Sequence, residues 1–186
     1  MKLLNVSLVT MTIVLLTGCA NIAKSPGEQR ASIQTMRQEV LTDLFREKPD
    51  TRQQINAAPG YAVFSNVNVN LIFAAVGGGY GIAKNMKTGK ETYMKMGEVG
   101  IGLGIGVKDF RAVMVFHTAE AYADFINYGW SFGGNADAAA KASEQGVAAG
   151  KEAVLDDVTI YQMTESGLAL QATLKGVKFW KDNNLN

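Results

Sequence analysis

Glycine and branched aliphatic residues alternate without a break from Gly100 to Val107. A strand sends successive side chains to opposite faces, so Ile101, Leu103, Ile105 and Val107 share one face and the other carries only hydrogens. Glycine weakens a strand unless the space is needed. A bare face therefore predicts a close second layer, a tight bend or a ligand against the backbone. The run from Val76 to Ala83 behaves similarly. Asn85 to Lys90 reads as a hairpin loop joining the two runs. A strongly curved, glycine-faced hairpin is expected at the heart of the fold.

Helical periodicity precedes it. Ser25, Pro26 and Glu28 supply an N-cap, a first-position proline and the far half of a capping box. Ile33, Met36, Val40 and Leu44 then recur at helical spacing, and Pro49 stops the helix at Lys48. This apolar stripe either packs on the sheet or lies on a membrane. Mixed charges on the opposite face favour packing. A short helix is expected from Thr51 to Ala58. Strands are expected at Tyr61–Ser65, at Phe110–Phe116 in a central position, and at Val158–Thr164. Another runs from Leu168 to Lys175 and extends past a bulge through Trp180. Thr118 caps a helix carrying Tyr122, Phe125 and Ile126 on one side. Ala138 to Gly150 fits strand, helix or loop. The class is α+β: a curved, mostly antiparallel sheet curling toward a barrel, flanked by an N-terminal amphipathic helix and one or two short helices.

The first residues have a different character. Lys2 precedes an apolar run from Leu8 to Leu16, which ends in Leu16-Thr17-Gly18-Cys19. The run is short for a membrane span and fits a secretory signal. Its last four residues fit the bacterial lipoprotein signature. Residues 1–18 are thus expected to be a signal peptide, Cys19 the lipid-attachment site, 19–24 a tether and 25–186 a single domain. Ala20 rather than aspartate after the cysteine points to the inner leaflet of a Gram-negative outer membrane, facing the periplasm. Cys19 is the only cysteine, so no internal disulfide forms. Eighteen basic residues against seventeen acidic ones leave a net charge of +1, and nothing points to nucleic acid.

The glycines do not build a phosphate cradle. The third glycine of a G-x-G-x-x-G pattern falls on Val107 or on Lys84, and no helix start follows. His117 is the only histidine, so no metal cluster can be assembled and any Ser-His-Asp triad would depend on it. Glu98 and Asp109 are separated by roughly 33 Å along an extended chain, too far for a carboxylate pair. No catalytic residue, metal or cofactor is expected, and no enzyme. Lys84, Lys87 and Lys90 cluster at the hairpin tip, and Lys175, Lys178 and Lys181 near the end of the chain. Such clusters either meet anionic head groups or guard a strand edge. Tyr80, Tyr93, Trp130, Phe132, Phe179 and Trp180 fit core or rim better than a ligand cage.

Taken in order, several segments resemble the SYLF domain family, the actin-patch type of lipid-binding domain, in its bacterial lipoprotein branch. They are Tyr61-Ala62-Val63-Phe64, Gly77 to Gly81, Gly97 to Gly106, Val113 to Phe116, Phe132 to Asp137, and Ser166-Gly167-Leu168 through Gly176. The resemblance runs from about Ala57 to Leu185. It implies lipid binding. Eukaryotic members bind phosphoinositides, in part through an amphipathic N-terminal helix, and some bind actin. Neither partner transfers to a bacterial periplasm. The expectation is an anchored periplasmic domain binding phospholipid or another amphiphile. Ile101, Leu103 and Ile105 would hold acyl chain, and Lys84, Lys87 and Lys90 would meet the head group. The competing expectation is an adaptor lipoprotein that binds an envelope protein and no lipid.

Overall fold

The computed structural model describes residues 25–66, 78–98, 111–131, 153–155, 157–164, 167–168 and 177–186. Helix α1 spans Pro26–Glu47 and α2 Thr51–Ala57. Strands β1 (Gly60–Ser65), β2 (Gly79–Asn85), β3 (Glu91–Glu98) and β4 (Arg111–Phe116) follow. Then come α3 (Ala119–Tyr128), β5 (Trp130–Ser131), β6 (Ala153–Leu155), β7 (Val158–Thr164), β8 (Gly167–Leu168) and β9 (Val177–Lys181). Local chemistry sets the helix ends as expected. The Ser25 backbone N–H donates to Glu28 Oε2 at 2.7 Å while Ser25 Oγ accepts from the Glu28 N–H at 3.3 Å, a complete capping box. Thr118 Oγ1 caps α3 by accepting from the Ala121 N–H at 3.2 Å.

The strands form one sheet in the order β5-β9-β3-β2-β1-β4-β7-β6, with β8 against β7, and the pairings are antiparallel. It curls strongly. β9 lies three strands from β1, about 14 Å away in a flat sheet. Yet the rings of Phe64 on β1 and Phe179 on β9 meet with centroids 4.6 Å apart. They can do so because Gly81, paired with Phe64 across β1 and β2, has no side chain in the way. A Cβ on Gly81 would fall 2.3 Å from Phe64 Cδ1 and 2.4 Å from the Val63 carbonyl oxygen. A Cβ on Gly79 would fall 2.4 Å from Met96 Cε. The bare face predicted for the Val76–Ala83 run is therefore real where it is described, and neighbouring side chains occupy it.

The concave face packs Phe64, Met94, Met96, Met114, Phe116, Ile160 and Phe179 against Tyr122 and Phe125 of α3. On the convex face, Ile33, Met36, Val40 and Leu44 of α1 lie buried on Val63, Ile82, Val113, Val115 and Tyr161. Burying each such aliphatic contributes about 1.5–3 kcal/mol. The α1 stripe is thus committed to the sheet. The charged Arg111, at the start of the otherwise apolar β4, donates to Asp43 of α1 at 2.8 Å.

One expectation changes. The Asn85–Lys90 loop does not pair the two glycine runs. It joins β2 to β3, and Gly79 faces Met96 while Lys84 faces Glu91. A loop this short closes onto the strand that follows at once. Asn85 Oδ1 accepts from the N–H groups of Lys87 and Thr88, and Gly89 takes φ +71°, so the chain reverses before Glu91. Gly100–Val107 lies outside the described residues, as do Ala138–Gly150 and most of Leu168–Lys175. Residues 169–176, between Leu168 and Val177, lie outside the described residues, and so does the expected continuation past a bulge. β8 pairs with β7, while β9 pairs with β3 and β5 toward the opposite side of the sheet. The buried Val177 and Phe179 place it there, because Phe179 completes the concave core.

Gly81→Ala should lower stability by about 2–3 kcal/mol, since the contact with a backbone oxygen cannot be relieved by a rotamer change. Urea unfolding should show the loss with the slope unchanged. A variant as stable as the parent would remove Gly81 from the account of the curl.

Candidate functional site

Antiparallel register brings Lys181, the last of the second lysine cluster, toward the hairpin end of the sheet, while Lys178 pairs with Gly97 near the other end of β3. The β2–β3 hairpin presents Lys87 and Lys90 to solvent, with Lys84 half-buried on β2. On the far side of β3, Met94 pairs with Lys181, so the end of β9 lies beside the start of β3. A cleft of about 300 Å³ opens there, lined by Lys90, Glu91, Thr92, Tyr93, Lys181, Leu185 and Asn186. Lys178 is exposed on β9. Lys175, Cys19, Ile101, Leu103 and Ile105 lie outside the described residues.

Helix α1 and the last turn of the chain build the floor of the cleft. Arg37 forms an ion pair with Glu91, and Gln34 Nε2 donates to the other Glu91 oxygen at 2.6 Å and to Tyr93 Oη at 3.1 Å. The Arg30 guanidinium sits 5.9 Å from the Tyr93 ring centre and donates from Nε to the Leu185 carbonyl at 2.9 Å. Asn186 reads the Tyr93 backbone on both sides. Its Oδ1 accepts from the Tyr93 N–H at 3.0 Å and its Nδ2 donates to the Tyr93 carbonyl at 2.8 Å. Lys95 pairs with the buried Asp182 at 3.2 Å.

This arrangement decides the charge of the cleft. Burial pushes the Glu91 carboxyl up, but hydrogen bonds from Arg37 and Gln34 and the charges of Arg37 and Lys84 more than reverse that, and its pKa lies below the ordinary 4.5. Glu91, the acidic side chain lining the cleft, is thus neutralised from α1, with Lys84 contributing. Lys87, Lys90, Lys178 and Lys181 make no ion pair among the described residues. Sequence reasoning marked the lysines separately but not their meeting. It also missed Gln34, Arg37 and Asn186 as its supports. Those contacts join residues more than 50 positions apart, and no local pattern signals them.

Both sheet faces are filled by side chains where they are described, so the described part offers an amphiphile a surface rather than an interior. His117 shares a 2.7 Å hydrogen bond with Thr159 through Nε2, while Asp157 accepts from Thr118 instead. Burial pushes the Tyr122 phenol up to about 12, so it stays protonated at physiological pH. Among the described residues no group of histidine, cysteine or carboxylate side chains could hold a metal ion. No described helix is long and apolar enough to cross a membrane.

Residues 97–186 match the family model described as Ysc84, Las17-binding protein actin regulator. The chain is also 37% identical over 168 residues to beta cell expansion factor A of Aeromonas veronii. Residues 97–186 of the chain belong to this SYLF-type family. The alignment covers 87% of this chain and 60% of that relative, so the chain spans well under the relative's full length. The family match begins at Gly97, later than the resemblance from about Ala57 that the motifs suggest, and leaves α1 and nearly all of β1–β3 outside. The cleft therefore joins a family-matched wall, β9 and the last turn, to a wall outside the match.

A lowered folded-state pKa makes the Glu91 contribution complete above about pH 4.5 and lost as pH falls through the folded value. Glu91→Gln should cost about 1–3 kcal/mol near neutrality, as for hydrogen bonds to charged groups. In urea titrations at neutral and at acidic pH, the gap to the parent should narrow as pH falls through the folded-state value and Glu91 protonates. An equal gap at both pH values would assign the loss to packing instead of charge.

Proposed function

We propose that this protein is a lipid-anchored envelope protein whose SYLF-type domain binds anionic phospholipid or another anionic amphiphile. In this reading Cys19 carries diacylglycerol and holds the chain at the inner leaflet of the outer membrane, with the domain facing the periplasm. The role is binding, not catalysis. The observation that carries it is the cleft at the hairpin end. Lys90 and Lys181 come from opposite parts of the chain to line it, and its acidic side chain, Glu91, is already neutralised by Arg37. Unpaired lysines near an anionic surface contribute about 1 kcal/mol each. Thr92, Tyr93 and Asn186 add polar groups at the same place. The head group meets this rim, and the acyl chains stay in the bilayer, because the described sheet faces are already filled.

Two measurements test the parts separately. Mass spectrometry of the N-terminal peptide from the membrane fraction should find diacylglycerol on Cys19, and Cys19→Ala should move the protein to the soluble fraction. An unmodified Cys19 would refute the anchor. The purified Cys19→Ala chain should float with vesicles of phosphatidylglycerol and phosphatidylethanolamine and not with phosphatidylcholine alone. Lys87→Gln with Lys90→Gln should weaken flotation by about tenfold. Failure to float with any composition would refute lipid binding. Crosslinking in cells to one stoichiometric envelope protein, with no co-purified lipid, would then favour the adaptor role.

A further inference from the structure

Two large side chains of apolar character stand exposed among the described residues, Tyr128 at 82% and Trp180 at 37%. They are 52 positions apart, yet they fall on one edge of the sheet. Trp130 pairs with Phe179 and Ser131 with Lys178, so the last residues of α3 run beside the end of β9. Gly129 seals the junction. It takes φ +70°, and a Cβ there would fall 2.2 Å from the Phe179 carbonyl oxygen and 3.4 Å from Trp180 Cα. Tyr128, directly before it, is therefore held next to the β9 backbone at Trp180.

The exposed residues of β9 beside Trp180 are lysines. Lys178 shares the face of Trp180 along β9, while Lys181, paired with Met94, follows it on the opposite face; both are exposed and both without an ion pair among the described residues. Lys95, opposite Trp180, is spent on Asp182. Of the exposed carboxylates of α3, Asp124 lies one turn before Tyr128 on the same helix face and Glu120 two turns before it. Tyrosine and tryptophan with one apolar and one polar end settle at the head-group level of a bilayer, and lysines beside them meet anionic lipid.

Chain length supplies the second argument. Cys19 lies six residues before Ser25, a reach of at most about 20 Å. One turn into α1, Arg30 bonds to Leu185 and stacks on Tyr93. Tyr93 is two residues from Lys95, the partner of Trp180 across β3 and β9. A lipid on Cys19 thus holds this side of the domain, not the opposite edge at β6, close to the bilayer.

We propose that the β5–β9 edge is the surface on which the domain lies on an anionic bilayer, with Tyr128 and Trp180 inserted at head-group depth and Lys178 and Lys181 on the lipid phosphates. The inference rests on the anchored, lipid-binding reading above and names the surface and the partner: a bilayer, rather than a single extracted lipid.

The test uses the purified Cys19→Ala chain and vesicles of phosphatidylglycerol and phosphatidylethanolamine, half of them with bromine on the upper acyl carbons. Trp130 and Trp180 are the only tryptophans, so Trp180→Phe isolates the signal of interest. Bromolipid should quench the parent's fluorescence, and most of that quenching should vanish in Trp180→Phe. Tyr128→Ser with Trp180→Ser should weaken vesicle flotation by about tenfold, and Lys178→Gln with Lys181→Gln by a similar factor. Circular dichroism matching the parent confirms that each variant folds. Flotation unchanged in these variants, with Trp180 unquenched, overturns this surface while leaving lipid binding intact. A parent that floats with no vesicle overturns both. Release of a stoichiometric free lipid by the purified protein, without Trp180 quenching on vesicles, overturns the bilayer in favour of an extracted lipid.

Discussion

The fold depends on one ring crossing one glycine. Phe64 reaches across β2 only because Gly81 leaves its face bare, and the ring then meets Phe179 of β9. That contact fixes the curl, since the two strands would stand about 14 Å apart in a flat sheet. Phe125 of α3 packs edge-on against Phe64, with centroids 6.1 Å apart, and tilts against Phe116 at 5.0 Å. The helix can enter the concave face because the curl has made one. The start of β1 depends on another bare position: a Cβ on Gly60 would fall 2.3 Å from Tyr122 Cδ2. Large aromatic side chains are thus seated on positions that present no side chain of their own, which reconciles a glycine-rich sequence with a filled core.

Curling one face in turns the other out, and α1 covers it. The consequence for function is direct. An amphipathic helix at the start of the described chain invites a membrane-surface reading, but its four buried residues rest on the sheet. Releasing them would forfeit several kilocalories per mole with no compensating basic face. What α1 offers the outside is instead its flank. Arg30, Gln34 and Arg37 support Tyr93 and Glu91, and the Arg37 pair neutralises the charge that would otherwise oppose an anionic ligand. The helix shapes the cleft by being immobilised.

How far this was legible in the sequence depended on the range of the interactions. The ends of α1, the cap of α3, the core face of β4 and the turn at Asn85 were readable because their causes lie within a few residues. The glycine alternation correctly announced a bare face near Gly81, though not which ring would fill it. Pairing was the weak point. The second glycine run looked like the partner of the first, but a short loop commits β2 to the strand immediately after it, whose alternating Thr92, Met94 and Met96 are less conspicuous. The place of Val177–Lys181 beside β3 is set by Phe179, whose partner lies 115 positions earlier. The cleft was least legible, because Lys90, Tyr93, Lys181 and Asn186 become neighbours only after β9 is placed.

That placement also determines where charge can act. Of the cations on the β3–β9 side, Arg37 is spent on Glu91, and Lys95 on Asp182. Asp182 is buried, and its oxygen Oδ1 also accepts from the Asn184 N–H at 2.9 Å, so that pair secures the last turn and is not available to a ligand. The lysines without an ion pair among the described residues, Lys87, Lys90, Lys178 and Lys181, sit on the β2–β3 hairpin and on β9, outside which lies only the two-residue β5 among the described strands. Lysines at a sheet edge discourage strand pairing whatever else they do. Edge protection alone, however, requires neither an exposed Trp180 between two of them nor an exposed Tyr128 seated beside its backbone. Aromatic residues there work against solubility unless something covers them. Charge together with exposed amphipathic rings therefore separates an edge that only repels strands from an edge that rests on a surface.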